Sequence, residues 1–68
     1  MGTLGTRLRT LRKQRKLTQG QLGKALGVSD VTVGYWERDL NVPCGKSLTK
    51  LAKYLGVSEG FLLYGQED

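Results

Sequence analysis

The chain has 68 residues, of which 38% are hydrophobic and 25% charged, and its formal net charge is +5. This length fits one domain, over residues 1–68, with one modest core and little room for a large active-site cleft. A lone cysteine, Cys44, and no histidine exclude an internal disulfide and a four-ligand zinc site.

The positive charge is concentrated in the first half of the chain. Residues 1–29 contain no acidic residue, and their basic residues are Arg7, Arg9, Arg12, Lys13, Arg15, Lys16 and Lys24. This asymmetry favours a polyanionic partner, either nucleic acid or an acidic membrane surface. A solvated basic helix without a partner is the alternative interpretation.

The first predicted helix runs from about Thr3 to Arg15. Leu4, Leu8 and Leu11 recur at steps of four and three, which places them on one stripe of a helix. The stripe is narrow and lacks the aromatic residues that anchor helices on membrane surfaces. We therefore predict a core helix and no membrane contact.

Two short helices separated by a glycine turn are predicted between about residues 18 and 38. Thr18, with Gln21 three positions later, forms a capping box that starts the second helix near residue 19, and Gly27 ends that helix. Ser29 then caps a third helix over residues 30–38. This arrangement is typical of a helix-turn-helix unit.

Each helix of this unit has a predicted inner face. We expect Leu22, Ala25 and Leu26 to face inward from the second helix, and Val33 and Trp36 to do so from the third. The residues left to face outward on the third helix are Asp30, Val31, Thr32, Gly34 and Tyr35. Gly34 either allows close approach of another backbone or a DNA strand, or is a tolerated surface residue.

A loop over residues 39–45 precedes a fourth helix, for which Ser47 is the expected cap. The apolar face of this helix comprises Leu48, Leu51, Ala52 and Leu55. The segment Leu55-Gly56-Val57-Ser58 then repeats Leu26-Gly27-Val28-Ser29, which predicts the same stop and restart before a fifth helix. Five short helices without a strand pattern predict an all-α, compact five-helix bundle.

The order of these segments resembles the phage repressor and Cro-like (Xre-type) helix-turn-helix family over nearly the whole chain. Gly27-Val28-Ser29-Asp30-Val31, Trp36-Glu37-Arg38 and Pro43 carry this resemblance. At this spacing they are most similar to the N-terminal DNA-binding domains of lambdoid repressors of the Salmonella phage type. The resemblance implies a domain that binds operator DNA as a dimer, with one recognition helix in each half-site.

The resemblance also implies supporting roles for five residues. Gln19 matches a position that contacts a phosphate and braces the recognition helix, and Ser29 and Arg38 match positions that contact the DNA backbone. Glu37, an acid at the buried edge of the third helix, is implied to pair with Arg12 on the first. Such a bidentate pair is structural, and it would withdraw Arg12 from the charge available to DNA.

Base-edge contacts are implied for Asp30, Val31 and Tyr35. Their chemistry agrees, because Val31 suits a thymine methyl group, Asp30 can accept from a cytosine amino group, and a neighbouring Thr32 can donate or accept. Asp30 can equally serve the positive end of the helix dipole.

The loop after the third helix contains no lysine or arginine, although it is often basic in this family. Phosphate binding is then expected from Gln19, Arg38, Lys46 and the first helix. The candidate dimer contacts are apolar, although those on the fifth helix can instead close the core: Leu40, Val42, Phe61 and Leu62.

The leading prediction is a sequence-specific, double-stranded DNA-binding regulator in the bacterial cytoplasm. It would repress transcription by binding a palindromic operator as a dimer, with the third helix in the major groove. No cofactor, metal, small-molecule ligand or catalytic activity is predicted, since the acidic residues are scattered and form no recognisable catalytic set. The alternatives are an antitoxin or restriction-modification controller of the same fold, and a protein-interaction module that has lost DNA binding.

Overall fold

Five α-helices follow one another along residues 2–66, the part of the chain that the computed structural model describes, and no strand occurs among them. The helices are α1 (Leu4–Gln14), α2 (Gln19–Leu26), α3 (Asp30–Glu37), α4 (Lys46–Leu55) and α5 (Glu59–Tyr64). The predicted all-α bundle is confirmed, and its first three helices begin and end within one residue of the predicted positions. None of these helices combines the length and the apolar character needed to cross a lipid bilayer.

The repeated Leu-Gly-Val-Ser segment acts in the same way in both of its copies. Gly27 and Gly56 end α2 and α4 in the left-handed conformation, with φ of +79° and +72°, which glycine adopts without a steric penalty. Ser29 and Ser58 then cap α3 and α5, since each side chain accepts from a backbone N–H three residues later. The predicted capping box at Thr18 is also present.

The start of α4 differs from the prediction. Its cap position is held by Gly45, which has φ +56° and makes no side-chain capping bond. Ser47 lies within the first turn of the helix, where its backbone N–H donates to the Cys44 carbonyl at 3.1 Å. The prediction of Ser47 as the cap was wrong because the chain enters the helix earlier, at Lys46.

One hydrophobic core lies between the helices. Its buried side chains are Leu4, Leu8, Leu22, Leu26, Val33, Trp36, Leu48, Leu51, Ala52, Leu55 and Leu62. Leu62 is 0% exposed, so its prediction as a dimer contact was wrong. It closes the core from α5, as the alternative interpretation of that helix proposed.

The inner face of α2 also departs from the prediction at one position. Ala25 is exposed, whereas Gly23 is buried. A Cβ atom on Gly23 would lie 2.6 Å from the Val28 carbonyl oxygen, so the chain after α2 passes directly over this glycine. The packing of the turn, rather than helical periodicity, therefore selects a residue without a side chain.

Arg7 of α1 and Arg15, the residue that follows α1, bind the carboxyl ends of other helices. Arg7 donates to the carbonyls of Leu62 and Leu63 at 2.9 and 2.8 Å, and Arg15 donates to the carbonyl of Leu55. Carbonyls at a helix end have no partner within the helix, and a cation there also opposes the negative end of the helix dipole. The guanidinium groups of Arg7 and Arg15 therefore stabilise the bundle, and the first helix has less free charge than its sequence indicates.

Candidate nucleic-acid interface

The outer face of α3 presents small and medium-sized side chains to solvent. Val31 is 54% exposed and Tyr35 39%, while Asp30 is exposed and Thr32 half-buried. All four predicted base-contacting residues thus lie on the accessible side of one helix. Val33 and Trp36 face the core, as predicted, and are 0% and 4% exposed.

Hydrogen bonds at the amino end of α3 fix three of its polar side chains. The Ser29 hydroxyl accepts from the Thr32 N–H and lies 3.1 Å from the Thr32 hydroxyl. The Asp30 carboxylate accepts from the Val31 N–H at 2.9 Å. Asp30 therefore serves the amino end of the helix while remaining an exposed residue.

Tyr35 and Arg38 form a pair at the carboxyl end of α3. The Arg38 guanidinium carbon lies 5.5 Å from the centre of the Tyr35 ring, within the range of a cation–π contact. The Arg38 Nε also donates to the Gly34 carbonyl at 3.3 Å. The pair therefore stacks a guanidinium group on a tyrosine ring at an exposed position, and both the guanidinium and the phenol hydroxyl are groups that can donate to a phosphate or a base.

A buried polar network supports α3 from behind. The Arg12 Nε donates to Glu37 Oε2 at 2.5 Å and its Nη2 to Glu37 Oε1 at 3.2 Å, so the predicted ion pair is present and bidentate. Gln19 donates to the same Glu37 Oε1 at 3.1 Å. Gly34 is buried, and a Cβ atom there would lie 3.5 Å from the Gln19 amide. The expectation that Gly34 faces outward was wrong, because Gln19 covers it.

The remaining predicted contacts lie outside this cluster. Lys46 is exposed at the first position of α4. Leu40 and Val42, in the loop between α3 and α4, are each 62% exposed, and Phe61 is half-buried. The loop therefore presents an apolar surface of the kind that a second subunit can cover.

The exposed face of α3 carries groups suited to binding. Among residues 2–66, no three histidine, cysteine or acidic side chains lie where they could together hold a metal ion. The convex face of α3 carries donors, acceptors and one aliphatic group on a rigid helix. These are the groups that read base edges and phosphates in a major groove.

The chain is similar to known bacterial and phage regulators. It is 47% identical over 66 residues to the HTH-type transcriptional regulator DicA of Escherichia coli K12, covering 97% of this chain and 49% of that protein. It is 44% identical over 62 residues to repressor protein C2 of Salmonella phage P22, covering 91% of this chain and 29% of the repressor. The chain thus spans half or less of the length of these relatives.

Solved structures agree with this similarity. The P22 c2 repressor in complex with a synthetic operator superposes with a TM-score of 0.93 and 41% identity, covering 97% of this chain and all of that one. SinR in complex with DNA superposes with a TM-score of 0.78 and 28% identity, covering 87% and 95% of the two chains. The predicted resemblance to phage repressors is confirmed. Since the helix-turn-helix family model also matches residues 8–62, the chain belongs to the helix-turn-helix family.

Proposed function

We propose that this protein is a sequence-specific DNA-binding transcriptional repressor that occupies a palindromic operator as a dimer. The observation that carries the proposal is the exposed face of α3, held by the buried contacts of Glu37 with Arg12 and Gln19. The P22 c2 repressor structure, which superposes on this chain with a TM-score of 0.93, was solved in complex with a synthetic operator, and this supports operator DNA as the partner here. The mechanism is binding without a chemical step, in the bacterial cytoplasm, where such DNA lies.

In this proposal α3 enters the major groove and its four outward residues read the operator. Val31, which is 54% exposed, packs against a thymine methyl group. Thr32 and Tyr35 donate or accept at base edges, and Asp30 accepts from a cytosine amino group. Because the helix is fixed from behind, these side chains are already placed before DNA binds, which lowers the entropic cost of binding.

Phosphate contacts would hold α3 in register. The candidates are Gln19, Ser29, Arg38 and Lys46, which lie at helix ends or at the exposed edge of α3. Gln19 has a double role, since its side-chain amide binds Glu37 while its backbone N–H lies at the amino end of α2. Helix amino ends bind phosphates through such unpaired N–H groups.

The second subunit would bind through the loop before α4. Leu40 and Val42 expose aliphatic surface there, and half-buried Phe61 is a further candidate. Two-fold symmetry of the dimer would match two half-sites about one helical turn apart.

The test is selection of bound sequences from random duplex DNA, with the wild-type chain as the bait. We expect enrichment of a palindrome, and affinity for it that falls with salt at a log–log slope of roughly 5 to 6 per dimer, for about three phosphates per subunit. Failure to enrich any sequence would contradict the proposal, and a salt slope near zero would contradict phosphate binding.

Two substitutions test whether the exposed face of α3 contacts the bases. We expect Val31→Ala and Tyr35→Ala each to weaken binding to the selected palindrome by about 1 to 3 kcal/mol while leaving the fold unchanged. Tyr54→Ala is the matched control, because Tyr54 is 47% exposed on α4, away from α3. Unchanged affinity of both α3 variants would favour a protein-interaction module instead.

A further inference from the structure

The turn that follows the recognition helix has an acidic residue in a backbone conformation that favours glycine. Asp39 has φ +60°. Its N–H donates to the Trp36 carbonyl at 3.1 Å, and the next N–H, of Leu40, donates to the Tyr35 carbonyl at 2.9 Å. These two bonds define a Schellman turn, in which the left-handed residue is usually glycine.

The side chain of Asp39 makes contacts that glycine could not. One carboxylate oxygen accepts from the Thr3 hydroxyl at 2.6 Å, and the other accepts from the Gly5 N–H at 3.0 Å. The first N–H groups of a helix have no partner within it, and the negative charge also faces the positive end of the α1 dipole. The carboxylate of Asp39 is therefore turned toward α1.

The backbone of α1 reaches α3 at the same place. A Cβ atom on Gly5 would lie 2.5 Å from the Glu37 carbonyl oxygen and 2.7 Å from that of Trp36. The amino end of α1 thus sits directly on the carboxyl end of α3. Asp39 bonds across this junction, between segments 34 to 36 positions apart in the chain.

We propose that Asp39 is a positioning residue for operator binding: its carboxylate fixes the direction in which the chain leaves the recognition helix. The loop that it directs begins with Leu40 and Val42, the exposed dimer candidates. Loss of the carboxylate would leave α3 anchored through Glu37 but release the loop. This inference rests on the proposed function, because it concerns the affinity for DNA.

The alternative view of Asp39 predicts an effect of the opposite sign. An acid beside the recognition helix should repel phosphates, and removing one unit charge about 10 Å from a phosphate in water should raise affinity about twofold per contact. The positioning role predicts instead that removing the carboxylate weakens binding. The direction of the change therefore separates the two.

The experiment measures binding of four chains to the palindromic duplex selected by the wild type, at two salt concentrations. Asp39→Asn keeps a residue that tolerates positive φ, and Asp39→Gly removes the backbone strain together with the carboxylate. We expect both to bind about tenfold more weakly, which is the scale of one lost charge-assisted hydrogen bond. Glu59→Gln is the charge control, since it removes one exposed acid at the start of α5 and is expected to bind as tightly as the wild type or slightly more tightly.

Thr3 supplies a second, charge-neutral test. Thr3→Val removes the hydroxyl that donates to Asp39, together with the α1 cap in which the same hydroxyl accepts from the Thr6 N–H, and should weaken binding in the same direction. Thr3→Ser keeps both contacts and should bind as tightly as the wild type. Thermal unfolding of each variant separates weaker binding from loss of fold. Of the two Asp39 variants, Asp39→Gly is expected to be the more stable, because glycine adopts the positive φ of this position without strain. Tighter binding by Asp39→Asn and Asp39→Gly would overturn the inference about Asp39 and leave the proposed function intact. A wild-type chain that binds no duplex would overturn the proposed function, and this inference with it.

Discussion

Removing either partner of the buried Arg12–Glu37 pair should cost much of the stability of the domain. The two residues are 8% and 7% exposed, and a second Arg12 donor, Nη1, binds the Leu17 carbonyl at 2.6 Å. Glu37→Gln keeps the shape of the side chain but leaves the Arg12 guanidinium buried without a counterion. Breaking one side of such a pair costs about 3 to 5 kcal/mol.

That cost is large for a chain of this size. At about 0.05 to 0.15 kcal/mol per residue, a domain of this length is stable by about 3 to 10 kcal/mol. We therefore expect Glu37→Gln and Arg12→Met to lower the urea midpoint strongly, or to unfold the domain at physiological temperature. Arg9→Met is the matched control, since Arg9 is exposed on the same helix and its replacement should change stability by less than about 0.5 kcal/mol.

Urea unfolding followed by Trp36 fluorescence measures the effect, because Trp36 is 4% exposed in the folded state. The double variant Arg12→Met, Glu37→Gln removes both charges and should cost less than the sum of the two single variants. If each single variant costs less than about 1 kcal/mol, the pair is not an important source of stability and the reasoning is refuted.

Three further predictions concern core packing and the exposed loop. Gly5→Ala should destabilise the fold by about 1 to 3 kcal/mol or more, because its Cβ would meet backbone carbonyls at 2.5 and 2.7 Å. Gly20→Ala, whose Cβ would have its nearest neighbour at 3.8 Å, should instead stabilise α2 by up to about 1 kcal/mol. Equal shifts of the thermal unfolding midpoint in the two variants would contradict this reasoning. Leu62→Ala should cost about 2 to 5 kcal/mol in urea unfolding, as its side chain is 0% exposed. Leu40→Ala should leave monomer stability nearly unchanged but weaken operator binding, and the reverse pattern would show that the two leucines have been assigned to the wrong surfaces.

The helix boundaries could be predicted because the bonds that set them are local. Thr18, Ser29 and Ser58 bind N–H groups three positions away, and Gly27 and Gly56 act through their own backbone. Such signals are complete within a few residues of sequence. The prediction of Ser47 as the α4 cap was wrong for a related reason. A serine two positions after the true cap, Gly45, gives almost the same local sequence pattern as a serine at the cap itself.

Part of the candidate site was predicted through family resemblance rather than local pattern. The Arg12–Glu37 pair and the bracing role of Gln19 join residues 25 and 18 positions apart, and both are present. Composition and periodicity alone place Glu37 only at the buried edge of a helix. The partner of a buried charge is not encoded near it in the chain.

The sequence by itself determined five helices, the caps of α2, α3 and α5 and an outward face of α3, because capping and periodicity act over three to five residues. Only the tertiary structure decided which glycines are buried. It also decided which partners are bound by the charged side chains of α1 and of the loop after α3. Arg7 and Asp39 bind atoms 34 to 56 positions away, so their partners depend on how the helices pack. The carboxylate of Asp39, an acid next to the face proposed to bind DNA, is thereby directed toward α1, where it accepts from the Gly5 N–H in the first turn.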